Sequence, residues 1–195
     1  MEQKELDKIL DSHKRWLRGG DGERVNLYRA NLRRANLRRE DLRGAYLIGV
    51  NLIGADLTGA DLTGAELGEA DLCGADLTGA DLTRANLAWA DLRQANLRDA
   101  ELTGADLRCA VFAEAVGLSV TCVQVNTYCE NRRITYIPSL DVVTVGSFQG
   151  TFEEFEKRVE EEHTDNPFVL SRYRRVIAFL KREAEEDEKR LEQND

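Results

Sequence analysis

The sequence predicts a β-class solenoid, a stack of short extended segments, with a helix before it and a small α+β segment after it. The first observation is a leucine at every fifth position from Leu27 to Leu107, with Phe112 next in the series. The second is an alanine two residues before nearly every leucine, and the third is Asp, Asn or Glu between the two. A strict short repeat of this kind defines a repeat architecture before any other pattern is considered.

The five-residue period fits neither the 3.6-residue period of a helix nor the two-residue period of a continuous strand. We therefore expect each unit to be a short extended segment followed by a corner. In the unit 55–59, Ala55 and Leu57 point to one side and Asp56 to the other, and Thr58-Gly59 supplies the corner. Leucine and alanine then fill the interior, and the polar residues face outward.

Eighteen consecutive units over residues 25–114 follow the pattern Ala-Asp/Asn-Leu-x-x, which resembles the pentapeptide repeat family. The resemblance implies a right-handed quadrilateral β-helix in which four units make one coil and residues twenty positions apart stack. Eighteen units then form a stack of about 22 Å, at about 4.8 Å per coil. The expected protein is a bacterial member with an N-terminal helix cap and a C-terminal α+β extension.

The N-terminal segment, residues 1–22, is predicted to be a capping helix. Residues 3–17 have helical periodicity, and Gly19-Gly20 ends the helix. The end of a solenoid exposes apolar side chains and unpaired backbone groups, so it needs a cover. Trp16 is expected in the core of this cap, and Glu40, which replaces an inward alanine, is expected to reach the first-coil arginines or the cap helix. The apolar face comprises Leu6, Ile9, Leu10, His13, Trp16 and Leu17.

The predicted β-helix spans residues 23–115, and residues 116–195 are expected to form an α+β element that caps its other end. Thr151 with Glu154 three residues later matches a capping box, and Asn166-Pro167 favours a second helix start. The charged end of the chain, residues 183–195, is expected to fray into solvent. Three strand-like runs come first, at 119–126, 133–137 and 141–145.

Two sets of outward residues form the candidate partner surface, if residues twenty positions apart stack. The acidic set either presents anions to a partner or consists of side chains that bond local backbone N–H groups. The apolar set either lies under one of the chain's own helices or contacts a second copy or another protein; Trp89 lies farther along the same side. The acidic set is Asp41, Asp61, Asp81 and Glu101, and the apolar set is Tyr28, Tyr46, Ile48 and Ile53.

The net charge of −9 is unevenly distributed and argues against direct nucleic-acid binding. Arginines crowd the first coil, whereas residues 44–83 carry seven carboxylates and no Lys or Arg. The family resemblance implies an alternative function, because some members imitate duplex DNA and bind type II topoisomerases. The acidic stretch favours that alternative. The basic first coil, the short rod and the α+β extension in place of a compact dimerisation module oppose it.

Motifs of catalysis, cofactor binding and metal binding are not found in the sequence. His13 and His163 stand in no metal-ligand spacing, and there is no P-loop, dinucleotide-binding glycine pattern or nucleophile elbow. The sequence therefore predicts a non-enzymatic scaffold that binds an unidentified protein through its outer walls, as a monomer or homodimer. Modulation of a topoisomerase, DNA gyrase, is the alternative.

The cysteines and the N-terminus bear on the compartment. No segment approaches the length of a membrane span, and the N-terminus lacks the apolar region of a signal peptide. The four cysteines, Cys73, Cys109, Cys122 and Cys129, form no Cys-x-x-Cys pair. Free thiols in a reducing cytoplasm are expected, and a Cys122–Cys129 bridge across a hairpin is the alternative.

Overall fold

The computed structural model describes residues 1–118, 121–126 and 131–192, which belong to two compact units. The first unit is Met1–Leu118 and the second is Ser119–Asp195. The alternative of a bridge between Cys122 and Cys129 involves Cys129, which lies outside the described residues.

The first unit is a solenoid in which pentapeptides twenty residues apart pair in parallel, from Asn26–Tyr46 to Asn96–Val116. The Leu57 N–H donates to the Asp76 carbonyl at 2.8 Å, and the Asp76 N–H donates to the Ala55 carbonyl at 2.9 Å. This two-way pairing repeats from coil to coil and satisfies the backbone of each short segment. The predicted repeat solenoid, with four units per coil, is confirmed. Its right-handed sense stays a prediction.

Leucine fills the interior of the coils. Every leucine of the series from Leu27 to Leu107 is at most 3% exposed, as is Phe112. The corner residue, two positions after each leucine, adopts a left-handed backbone, as at Gly59 with φ of 64°. That conformation favours glycine because other residues meet a clash at Cβ. Non-glycine residues nonetheless occupy it at ten corners, at Arg29, Arg34, Arg39, Glu69, Arg84, Trp89, Gln94, Asp99, Cys109 and Glu114.

Helix α1, Gln3–Leu17, lies against the first coil and confirms the helix predicted over these residues. Two of its own side chains, Leu6 and Leu10, are buried. The Gln3 amide donates to the Asn36 carbonyl and accepts from the Asn36 N–H, both at 3.1 Å. These two backbone groups belong to the first coil, which has no preceding coil to pair with. The contacts are those expected of a cap, and the capping role itself stays a prediction.

Trp16 is not in the core of this helix, so the expectation for it is wrong. Its side chain is 39% exposed and stacks on the His13 ring, with centroids 5.4 Å apart. The chain returns over the last helical turn so closely that a Cβ on Gly22 would lie 1.9 Å from the Ser12 carbonyl oxygen. This close return fills the space beside the last turn, and the indole is left at the surface.

His13 and Glu40 are the polar side chains held between α1 and the first coil. His13 is 0% exposed, and its Nδ1 accepts a hydrogen bond from the Val25 N–H at 3.2 Å. Its Nε2 is buried with no hydrogen-bond partner. Glu40 Oε2 pairs with Lys14 Nζ at 2.7 Å, without the direction of a good hydrogen bond. The expectation that Glu40 reaches the cap helix is confirmed.

Acidification is expected to destabilise the first unit through His13. Burial holds the pKa of His13 below its ordinary value of 6.5; Arg24 and Arg43 lower it further, whereas Asp41 and the Arg43 backbone raise it. The folded chain therefore binds this proton more weakly than the unfolded chain. The contribution of neutral His13 to the free energy of unfolding is complete above pH 6.5 and is lost as the pH falls below that value.

The measurement is denaturant unfolding of the wild type and of His13→Asn across this pH window. Asparagine keeps an oxygen acceptor where Nδ1 lies but does not titrate. We expect the variant to lose most of the pH dependence that the wild type shows between about pH 7 and about pH 5. An equal slope in both chains would assign the dependence to other groups.

The second unit contains a four-stranded antiparallel sheet in the order β1-β2-β3-β4. A short 3₁₀ turn, Pro138–Leu140, joins β2 to β3. The three predicted strands are confirmed with shifted ends: β2 begins at Asn131, two residues before the predicted run, and β3 begins at Val142, one residue after it. A fourth strand follows that the sequence did not predict. The strands are β1 Thr121–Asn126, β2 Asn131–Ile137, β3 Val142–Val145 and β4 Phe148–Gly150.

Two helices pack on this sheet. Helix α2, Phe152–His163, begins with the predicted capping box, in which Thr151 accepts from the Glu154 N–H and the Glu154 side chain accepts from the Thr151 N–H. Helix α3, Pro167–Glu192, begins at the predicted proline and includes residues 183–192 of the charged segment that was expected to fray. Its many Glu, Lys, Arg and Ala residues favour the helix. The core includes Ile134, Val143, Phe155, Val159, Tyr173 and Ile177.

Candidate functional site

The four sides of the coil form four outer walls. The units of the first wall begin at Asn26, Tyr46, Glu66, Asn86 and Asp106, and those of the second and third walls begin five and ten residues later. The fourth wall has four units, which begin at Asp41, Asp61, Asp81 and Glu101. In each unit the first, third and fourth residues face outward, while the second and fifth face the interior. Because the units of one wall are bridged from coil to coil, equivalent residues form columns.

The fourth wall carries the predicted acidic column of Asp41, Asp61, Asp81 and Glu101, whose backbones are bridged in that order. The Asp61 carboxylate accepts from the Thr63 N–H at 3.0 Å and from its hydroxyl at 2.6 Å. Asp81 accepts from the Thr83 N–H at 2.8 Å. These carboxylates are therefore tied to the residue two positions later in their own unit.

Asp41 and Asp81 have perturbed acidities that reflect these local bonds. Arg43 binds the Asp41 carboxylate through Nε at 2.8 Å and Nη2 at 2.7 Å, which lowers the pKa of Asp41. Hydrogen bonds from Thr83 lower the pKa of Asp81. Each carboxylate is thus held ionised by a neighbour that also restricts its orientation.

The first wall gathers most of the predicted apolar set. Tyr28 is 49% exposed, and its ring lies 6.1 Å from that of Tyr46. Ile48, half-buried, stands in the same column as Tyr28, one coil away. The Arg29 guanidinium lies 5.2 Å from the Tyr28 ring. The structure therefore brings Tyr28, Tyr46 and Ile48 together, and places Ile53 around the corner on the second wall.

Trp89 is the most exposed large apolar side chain that the structure describes, at 68%. It lies on the first wall, at a corner with φ of 64°. Its N–H donates to the Arg108 carbonyl of the next coil at 2.9 Å, so the corner itself is well paired. Sequence reasoning placed Trp89 on this side of the solenoid but not among the site residues. The sequence contained a signal that could have identified Trp89 as a site residue, because tryptophan occupies a repeat position at which glycine is frequent.

The second unit holds a small cavity of about 40 Å³ beside α2. The His163 ring stacks on Tyr173 at its edge, with centroids 4.9 Å apart. Ligand pockets for small molecules usually measure about 300–1,000 Å³, so this cavity does not fit a substrate or cofactor of ordinary size. The outer walls of the solenoid are therefore the better candidate site.

Within the described ranges, 1–118, 121–126 and 131–192, no group of three or more His, Cys, Asp or Glu side chains is arranged to hold a metal ion. Among the same residues, no helix combines the length and apolar character needed to cross a membrane.

The sequence model of pentapeptide repeats, in eight copies, matches residues 26–64, 41–79, 60–99 and 80–116. Among solved structures, the chain is similar to a pentapeptide repeat protein from the Arabidopsis thaliana thylakoid lumen, with 33% identity and a TM-score of 0.33. It is 40% identical to the pentapeptide repeat protein Rfr23 from the cyanobacterium Cyanothece 51142, with a TM-score of 0.35. A third similar structure is a pentapeptide repeat protein from Nostoc PCC 7120, with 37% identity and a TM-score of 0.30.

The matches are confined to part of each chain. The Arabidopsis match covers 47% of this chain and 60% of the other, the Cyanothece match 49% and 62%, and the Nostoc match 52% and 73%. The chain thus spans about three fifths of the length of the first two relatives. No curated protein sequence matches it.

Proposed function

Because the chain belongs to the pentapeptide repeat family, we propose that it is a non-enzymatic scaffold that binds another protein through its outer walls, chiefly the first wall. The observation that carries this proposal is Trp89, a 68% exposed side chain on a left-handed backbone.

Trp89 is unfavourable in the isolated chain for two reasons. A left-handed φ costs a non-glycine residue about 1 kcal/mol or more. The indole recovers little of that cost, because most of its apolar surface stays in water. Nine other corners carry non-glycine residues on the same left-handed backbone, so the exposed indole, and not the backbone, distinguishes Trp89. Tryptophan is enriched among the residues that dominate binding energy at protein interfaces, which supports a partner that covers the first wall.

Replacing Trp89 by glycine is expected to stabilise the solenoid and weaken partner binding. Glycine adopts this φ freely, as at the equivalent corner Gly49 with φ of 63°, so unfolding should need about 1 kcal/mol more. The proteins that co-purify with the tagged chain from its source cell, quantified by mass spectrometry, should fall several-fold. Gln94→Gly is the matched control, since Gln94 occupies a corner with φ of 58° on the second wall. Equal capture by the Trp89→Gly chain and the wild type would contradict the proposal.

Topoisomerase modulation by DNA mimicry stays as the alternative, and one observation favours it. The two coils between residues 44 and 83 carry seven carboxylates and no Lys or Arg. They span about 10 Å, a length over which a DNA duplex carries about six charges. The match in charge density is limited to this length, because arginines flank it on both sides, including Arg43 and Arg84. We place this alternative second because the carboxylates of Asp41, Asp61 and Asp81 already bind residues of their own units.

A supercoiling assay with DNA gyrase tests the alternative. A DNA mimic should inhibit or protect the enzyme at micromolar concentration, and its effect should weaken steeply with salt. Asp61→Asn with Asp81→Asn should then abolish the effect, whereas Trp89→Gly should leave it intact. Absence of any effect of the wild-type chain would remove this alternative.

The proposed location is a reducing cytoplasm. Cys73 and Cys109, on the outer walls, support it, because neither forms a disulfide. Surface cysteines that form no disulfide are ordinary in reducing compartments and uncommon in oxidising ones.

A further inference from the structure

We propose that the partner of the first wall is a second copy of this chain, which packs against it with the stack axes antiparallel. This inference rests on the proposed function and names the occupant of that wall. The two copies are related by a twofold axis that runs parallel to the short strands and passes between the second and third coils of the wall. Each coil of one copy then faces a coil of the other in reverse order, the first opposite the fourth and the second opposite the third.

The first reason is complementarity of size along the central column of the wall. The third residues of its first four units are, in order, Tyr28, Ile48, Gly68 and Ala88. Two large apolar residues are thus followed by the two smallest residues. Antiparallel pairing sets Tyr28 against Ala88 of the second copy and Ile48 against Gly68 of the second copy. A self-complementary patch of this kind is what a twofold interface requires.

Gly68 is not required by the fold of its own chain. Its backbone is not among the left-handed glycines, unlike the corner glycines. A Cβ added there would meet its nearest neighbour, the Ala88 carbonyl oxygen, at 3.7 Å, which is an ordinary contact distance. Equivalent positions on the third and fourth walls carry Thr58 and Thr63. The Gly68 backbone is buried between its neighbours, and the missing side chain leaves the wall without a projection there, so that the Ile48 side chain of a second copy would lie over it.

The second reason lies in the corner column, whose members are Arg29, Gly49, Glu69 and Trp89. The same pairing places Arg29 opposite Trp89 of the second copy, where a guanidinium can stack on an indole. It also places Glu69 of the second copy one coil away from Arg29, a distance of about 4.8 Å along the stack. The exposed Trp89 and the arginine that already lies beside Tyr28 thus each find a partner.

The other twofold arrangement is disfavoured by charge. A twofold axis along the stack would keep each coil opposite the same coil and reverse the strand direction. The Glu66 and Glu69 carboxylates of both copies would then meet at one level, with no Lys or Arg in that unit. Like charges facing each other across an interface suppress that pairing. The antiparallel arrangement is the one that separates these carboxylates and supplies Arg29.

The test is sedimentation of the full chain over a range of micromolar concentrations, because a wall this narrow gives a small interface of the transient class. We expect a monomer–dimer equilibrium in the wild type. Gly68→Thr, which adds a projection opposite the Ile48 side chain of the second copy, and Trp89→Gly should each raise the dimer dissociation constant about tenfold or more, with unchanged circular dichroism. Gln94→Gly should sediment as the wild type. An unaltered dimer constant in Gly68→Thr would overturn the proposed register.

A charge exchange separates this register from any other contact. Arg29→Glu alone and Glu69→Arg alone should each weaken the dimer severalfold, by placing like charges one coil apart. The double variant should dimerise more tightly than Arg29→Glu alone, since the ion pair is restored with its signs exchanged, and it should stay weaker than the wild type because the stacking of Arg29 on Trp89 is still lost. A double variant that dimerises no more tightly than Arg29→Glu would contradict the antiparallel pairing.

The outcomes also distinguish this inference from the proposed function. A wild-type chain that stays monomeric at every concentration, while Trp89→Gly still loses captured proteins, would overturn self-association alone. A Trp89→Gly chain that keeps both its dimer and its captured proteins would overturn both.

Discussion

Replacing Leu77 by aspartate is expected to unfold the solenoid. Leu77 is fully buried in the interior column of the coils, and its N–H donates to the Asn96 carbonyl at 2.8 Å. A carboxylate there has no partner and no water, and an unpaired buried charge costs several kcal/mol even after relaxation. Most domains have only about 5–15 kcal/mol of total stability. Circular dichroism and the soluble yield of the expressed chain measure the result.

Cys73→Asp is the matched control for this substitution. Cys73 lies on the outer wall, half-exposed, four residues before Leu77. The same carboxylate placed there stays hydrated, so we expect a change of less than about 0.5 kcal/mol. A Leu77→Asp chain that is soluble and melts like the wild type would contradict the interior register of the repeat. A Cys73→Asp chain that unfolds would show that the coil tolerates no added charge on either side.

The solenoid could be predicted from sequence because its constraint is periodic and local. The extended unit forces Ala55 and Leu57 to one side and Asp56 to the other, and this alternation is repeated at every unit. The closure into four units per coil could not be predicted from the repeat alone. The number of corners per coil depends on backbone angles, which the side-chain pattern does not determine. The closure came from the family resemblance and is confirmed by the bridges between residues twenty positions apart.

The second unit shows where sequence patterns are insufficient. Strand β4, Phe148–Gly150, has three residues and no alternation that distinguishes it from a turn. The helix α3 continues through a segment whose charges suggested disorder, because helix propensity and ion pairs such as Arg182–Glu186 outweigh its lack of an apolar face. Trp16 follows the helical spacing of the apolar face, which predicted its burial, but the backbone at Gly22 packs closely against the last turn of the helix and the indole stays at the surface.

The candidate site was predictable in its columns but not in its details. Side-chain direction follows from the repeat, so the stacking of Asp41, Asp61 and Asp81 could be anticipated. Whether a carboxylate is free depends on the residue two positions later, and here Arg43, Thr63 and Thr83 engage the three in turn. The conformational cost at Trp89 and the room for a side chain at Gly68 appear only once the backbone angles and the surrounding atoms are known.

Deleting residues 1–18 is expected to expose the first coil and to make the chain aggregate or pair through its open edge. The deletion removes Leu6 and Leu10, and full burial of a leucine contributes about 1.5–3 kcal/mol each. It also frees the Asn36 N–H and carbonyl that Gln3 satisfies. An uncovered strand edge with apolar side chains beside it is a template for further pairing. Sedimentation and thermal unfolding of the truncated chain measure both effects.

The point variant Leu10→Ala separates the loss of packing from the loss of the edge cover. It should cost about 2–5 kcal/mol through the cavity it leaves, while α1 continues to cover Asn36 and the coil edge. We therefore expect it to melt lower but to keep the oligomeric state of the wild type. Larger oligomers should appear with the deletion and not with Leu10→Ala, because the open edge arises only when the helix is absent. A truncated chain with the stability and oligomeric state of the full chain would show that α1 is an attachment to the solenoid and not its cap.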